Sequence, residues 1–235
     1  GEDPLIWLIN YIASSKLRQT ILFTWLCSLL FLIPNLLIFK SNFTLNTSRK
    51  VWHFLILVLI SYPFRLDPEF VKISLSGTVV LFLCVEYLRY LKLEPFGEFL
   101  DSRLRSFADF RDEKGPLIIS YIYLIVGIAT PLLISNSPVG LIGLGVGDSL
   151  ASIVGGKWGK AGWPGTGKTM EGTGAFIAST FLVSLIFKQY LGYFTEISSL
   201  NLMLVCTLSG VLEGNSLLND NILIPVFMLV TEHIL

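Results

Sequence analysis

Charge is scarce in this chain. Only 14% of its 235 residues are Asp, Glu, Lys or Arg, against roughly 25% in a soluble globular domain. Between Pro116 and Gly147 there is none at all. With 53% hydrophobic residues and a mean hydropathy of +0.70, that scarcity excludes an ordinary water-soluble fold. It predicts an all-α, polytopic bundle of transmembrane helices. Net charge is zero, so no global field points to nucleic acid as a partner. Cysteine is nearly missing too. Cys27, Cys84 and Cys206 lie in apolar runs without CxxC spacing, which excludes a disulfide framework and leaves reduced packing residues. No internal repeat and no signal peptide is visible, and nothing specifies an oligomeric state. The chain starts with Gly where Met would stand, which reads as a trimmed N-terminus.

A membrane crossing takes about 20 residues. Thr20–Phe39, Ile73–Tyr90 and Gly174–Tyr190 read as spans. The uncharged stretch is too long for one helix and divides at Asn136-Ser137-Pro138 into Pro116–Ile134 and Val139 to about Val154. Val51–Phe64 is short and recruits flanking residues; Ser198–Leu212 and Asn221–Leu235 are shorter candidates. Leu5, Ile6, Leu8, Ile9 and Ile12 predict a short interfacial helix, closed by Lys16 and Arg18. In Leu93–Gly115, Phe96, Phe99, Leu100, Leu104 and Phe107 recur at helical spacing. Glu98, Asp101, Arg103, Arg105 and Asp109 fill the other face. This amphipathic pattern predicts a helix in the headgroup plane, with a connector packed on the protein as the alternative.

Alternating the spans gathers 12 of the 17 Lys and Arg on one face, which the positive-inside rule assigns to the cytosol. Two formal glycosylation sequons, Asn42-Phe-Thr44 and Asn46-Thr-Ser48, fall in a loop on that face. Short sequons arise by chance, and the charge count carries more weight.

What the chain does have is glycine, concentrated in one place. Gly140 to Gly174 holds 12 of the 20, together with Asp148, Lys157, Lys160, Lys168 and Glu171. Glycine lets backbone N–H groups approach a ligand closely, and successive N–H groups make concave anion sites. Lysines among them read as phosphate clamps, and the two carboxylates as magnesium ligands or a base. A carboxylate such as Asp148 at membrane depth costs about 3 kcal/mol and needs a partner, a divalent cation or a local lysine. The run from Gly162 to Thr169 matches the Walker A pattern. A true P-loop needs a buried strand before it within an α/β domain, and nothing nearby resembles one. The P-loop fold is therefore rejected and the local phosphate chemistry kept.

The expected site follows. Asp148, Lys168 and Glu171 are the candidate catalytic residues, with Asp148 and Glu171 as metal ligands. Gly147, Ser149, Gly155, Gly156, Lys157, Gly159, Lys160, Gly165, Thr166, Gly167, Thr169, Gly172 and Thr173 are the candidate nucleotide-binding set. Glu213, Asn219 and Asp220 reach the same face, each an individually weak signal. His53, beside Arg49 and Lys50, reads as a structural interfacial histidine or as a binder of an anionic headgroup.

At these residues the sequence resembles the dolichol kinases, within the CTP-dependent polyprenol kinase family. GDSLASIVGGKWGK (147–160) and WPGTGKTMEGT (163–173) resemble that family's CTP-binding region. Glu94 to Ile134 resembles a second block typical of dolichol kinases. Arg49-Lys50-Val-Trp-His53 resembles the start of related phytol and diacylglycerol kinases, and Asn219-Asp220-Asn221 with Pro225 resembles the closing stretch. The resemblance implies phosphate transfer from CTP, with Mg2+ or another divalent cation, to the terminal hydroxyl of dolichol at the cytosolic face of the endoplasmic reticulum. It implies one membrane-embedded kinase domain over residues 1–235. Many members carry upstream spans missing here, so the expectation is the C-terminal part of a longer chain. A membrane cytidylyltransferase, or a kinase for phytol or diacylglycerol, is the rival reading. A transporter with broken helices is a third, disfavoured because the charges cluster on one face.

Overall fold

A computed structural model describes residues 3–39, 45–105 and 115–235. Among them it shows ten helices and no strand: α1 (Pro4–Ala13), α2 (Lys16–Phe39), α3 (Leu45–Leu66), α4 (Pro68–Tyr90), α5 (Gly97–Arg105), α6 (Ser120–Ser135), α7 (Val139–Trp158), α8 (Met170–Leu191), α9 (Ser199–Asn215) and α10 (Asp220–Ile234). The all-α helix bundle expected from composition is what forms. Polar residues start the helices: Asp67 accepts from Phe70 N, Thr169 from Gly172 N and Ser198 from Asn201 N. Each cap satisfies an N–H that has no partner inside its helix.

Helix α7 is the axis. Val139, Leu141, Ile142 and Leu144 are fully buried, as expected for a helix apolar on every side. Its glycines admit the neighbours. A Cβ on Gly140 would strike Gly127 O of α6, one on Gly143 would strike Met228 of α10, one on Gly145 Leu57 of α3, and one on Gly147 Thr180 and Phe176 of α8. Small residues at such crossings let helices approach closely where no water drives them together. Gly143–Asp148 winds as a π-helix, a form frequent at functional sites.

Among the described residues, three helices, α4, α7 and α8, are long and apolar enough to cross a membrane. Large apolar side chains such as Val80, Leu81, Leu182, Leu200 and Leu208 stand exposed on the outer helices, a surface suited to lipid and not to water. The short span expected at Val51–Phe64 does recruit its flanks, reaching 22 residues in α3. The amphipathic segment is shorter than Leu93–Gly115: α5 covers nine residues, and 106–114 lie outside the described residues. So do residues 42–44 of the sequons. Phe96 and Phe99 are exposed, and Arg103 lies over the Phe99 ring.

The chain alternates between two ends of the bundle. At one end Arg18 meets Asp67 at 2.8 Å, the Tyr193 hydroxyl donates to Ser61 O, and Ser137 donates to Glu232. At the other end lie the starts of α3, α8 and α10 and the ends of α7 and α9.

Candidate functional site

Asp148 sits on α7, at the close of its π-helical stretch, and is 6% exposed. Ala151 and Gly155 face Gly172 at the start of α8. Asp148 precedes Ala151 by just under one helical turn, so it lies close beneath the start of α8. Two side chains from the first turns of α3 reach the same oxygen. Lys50 Nζ donates to Asp148 Oδ2 at 2.5 Å, and His53 Nδ1 is 3.6 Å from it. Gly145 allows this approach, because a larger residue would collide with Leu57 Cβ and press on His53 O.

Two more carboxylates converge from the far end of the sequence. One ligand oxygen each from Asp148, Glu213 and Asp220 lies within 4.8 Å of the others. Glu213 comes from the last turn of α9 and Asp220 from the first residue of α10. Lys168 binds both, with Nζ 2.8 Å from Glu213 Oε1 and 2.9 Å from Asp220 Oδ1, and also donates to Glu213 O. Burial alone would push the Lys168 ammonium down. Asp220 and Glu213 outweigh it and hold the group above the ordinary lysine value, so it stays charged at neutral pH. Three oxygens at this spacing, two of them buried and Asp220 half-buried, are hard ligands that fit a divalent cation such as Mg2+.

The loop from Gly159 to Thr169 is tied over this cluster. Trp163 N donates to Lys168 O and Met170 N to Ala161 O, closing a short antiparallel turn. Thr166 Oγ1 donates to Gly214 O, and Trp163 Nε1 donates to Thr173 Oγ1. Gly165, at φ +73°, makes the tip.

The structure brings together only part of the set expected from sequence. Asp148 and Lys168 share the cluster. Glu171 does not join it: its carboxylate accepts from the Lys160 and Ala161 N–H groups and so caps the loop. Lys157 lies over the Trp158 ring at the exposed end of α7, and Lys160 is exposed. Gly147, Gly155, Gly159 and Gly172 are packed where a Cβ would meet protein, whereas Gly156, Gly165 and Gly167 face open space. Ser149 donates to Leu144 O and is fully buried. Thr166, Thr169 and Thr173 hold the loop and the start of α8. The expected loop from Gly155 begins later, because α7 stays helical through Trp158.

Lys50, Glu213 and Asp220 are the cluster members that sequence reasoning undervalued. Their signals were a charge set flush with an apolar helix and, for Lys50 and Asp220, a place in stretches that resemble the kinase family. The Arg49 side chain lies outside the described residues.

Over its full length the chain is 55% identical to dolichol kinase of Saccharomyces cerevisiae, of which it spans 46%. Over 97% of its length it is 38% identical to dolichol kinase sec59 of Schizosaccharomyces pombe, spanning 50% of that protein. Over 97% it is 29% identical to dolichol kinase of Homo sapiens, spanning 47%. The chain thus spans about half the length of the curated relatives it matches. No protein-family model and no solved structure matches it.

Proposed function

We propose that this chain carries the active site of a dolichol kinase, which moves the γ-phosphate of CTP to the terminal hydroxyl of dolichol and yields dolichyl phosphate for protein glycosylation. One observation carries the reading beyond the names of the relatives. Three carboxylates and two lysines meet near one end of a lipid-facing bundle, where a water-borne nucleotide and a membrane alcohol can both arrive. Phosphoryl transfer asks for positioning and charge neutralisation above all.

Asp148, Glu213 and Asp220 hold the divalent cation, Mg2+ in this reading, which when bound neutralises charge on the transferring phosphate. Lys168 and Lys50 carry the ammonium charges nearest the phosphates, and Lys157 and Lys160 attract the nucleotide at the rim. The open backbone at Gly165 and Gly167 forms the part of the cradle that faces solvent, and Gly156 leaves the α7 surface beside it clear of a side chain. Glu171 acts on the site through the loop it caps. The dolichol oxygen attacks the γ-phosphorus, the bond from phosphorus to the β–γ bridging oxygen breaks, and CDP leaves. A carboxylate of the trio takes the hydroxyl proton. The site faces the cytosol, on the strength of the Lys and Arg count, and the resemblance to dolichol kinases implies the endoplasmic reticulum membrane.

The test is one incubation of the purified protein in nanodiscs with CTP, Mg2+ and dolichol, read by mass spectrometry of nucleotide and lipid. The kinase gives CDP and dolichyl phosphate. Pyrophosphate with a CMP-bearing lipid would mean a cytidylyltransferase. Phytol or diacylglycerol turned over in preference to dolichol would reassign the acceptor.

A further inference from the structure

Glu86 stands out in the sequence as a charge inside an apolar span, and nothing in the reaction above uses it. It is 6% exposed and lies against Arg89, 2% exposed, in the last turns of α4. Arg89 Nε and Nη2 both donate to this carboxylate, at 2.8 and 2.6 Å. Nη2 also donates to Pro116 O at 2.6 Å, and Nη1 binds Asp101 of α5. Glu86 accepts two further bonds, from Ile118 N at 2.7 Å and the Tyr121 hydroxyl at 2.8 Å. One buried ion pair thereby joins the end of α4, the amphipathic α5, the strap before α6 and the first turn of α6.

Packed apolar side chains would stabilise such a junction as well or better, since both ions must give up water. What the pair adds is a fixed geometry for the start of α6. That start leads directly to the site. Ser120 O, two residues beyond Ile118, accepts from Asn221 Nδ2 at 3.1 Å. Asn221 is buried, and its carbonyl lies against Gly127, where no Cβ could fit. The residue before it is Asp220, bonded to Lys168 in the cluster.

We infer that Glu86, locked by Arg89, is a positioning residue: through Ile118, Ser120 and Asn221 it sets where Asp220 stands among the three carboxylates. The inference rests on reading that cluster as the cation site.

Binding of Mn2+ to the purified protein in nanodiscs, followed by electron paramagnetic resonance, tests it without turnover. Glu86→Gln and Asn221→Ala should each weaken Mn2+ by about tenfold, as loss of an outer partner does at metal sites. The double variant should be little worse than either single, because both act along one route. Asp67→Asn, which breaks an ion pair at the opposite end, should lower Tm and leave Mn2+ affinity unchanged. Should Glu86→Gln fail to fold, Tyr121→Phe removes one bond from the same carboxylate and should weaken Mn2+ two- to threefold. Wild-type affinity in folded Glu86 or Tyr121 variants, or additive losses in the double, overturns the inference alone. Equal Mn2+ binding by wild type and Asp148→Asn overturns the cation site itself, and this inference with it.

Discussion

Lys50 and Asp148 lie 98 positions apart in sequence and 2.5 Å apart in space, with side chains 11% and 8% exposed. Removing one partner of such a pair strands a buried charge and costs about 3–5 kcal/mol. Lys50→Met and Asp148→Asn should therefore each lower Tm. The double variant, with no charge left to strand, should recover most of the loss. Activity should not recover: all three should turn over CTP at least about 10²-fold more slowly than wild type. Paired melting curves and rate assays separate the two effects, and a double variant that melts below both singles would contradict the pairing. Glu171 gives the contrasting case. Its bonds are to exposed backbone N–H groups, so Glu171→Gln should lower the rate by less than about tenfold. Asp148 could be singled out from sequence because it breaks a long uncharged run. Glu213 and Asp220 gave only weak signals, because nothing local shows that Lys168, 45 and 52 residues earlier, reaches them.

Among elements, the glycine-rich stretch turns out to be two structures. Sequence shows one glycine cluster, which the apolar run divides into a span from Val139 to about Val154 and a loop that follows it. The first half is helix α7, where glycine, Gly156 excepted, replaces side chains for which there is no room. The second half is a tied turn that exposes backbone. Composition cannot separate these uses, since close packing and ligand approach both need the missing Cβ. Gly155 and Gly156 show the difficulty: glycine disfavours a helix interior, yet α7 continues through both because Gly155 packs against Thr169 and Gly172. Crowded and open positions on α7 itself predict opposite signs for one substitution. Gly147→Ala would push a methyl into Thr180 and Phe176 and should destabilise by about 1–3 kcal/mol. Gly156→Ala meets nothing within 4 Å at a helical position and should be neutral or stabilising by up to about 1 kcal/mol. Denaturation in detergent with a helical circular dichroism signal reads both.

For the whole molecule, the alternation of spans was legible from apolar runs and turn residues, and the two clusters of end-to-end contacts agree with it. The proposed placement of the site end in the cytosol depends on a charge count alone, because no contact within a bundle tells one side of a bilayer from the other. That step can be tested with the geometry in hand. Gly167 lies on the tied turn with open space at its Cβ, and Glu196 is exposed at the opposite end. In a protein with Cys27, Cys84 and Cys206 replaced by Ser, a membrane-impermeant maleimide applied to sealed microsomes should label Gly167→Cys at once. It should label Glu196→Cys only after detergent opens the vesicles. The reverse pattern would put the carboxylate cluster in the lumen, where the nucleotide would have to be imported before it could serve the reaction. Labelling of both without detergent would mean that the two ends do not lie on opposite sides, and the bundle would then rest on the membrane instead of crossing it.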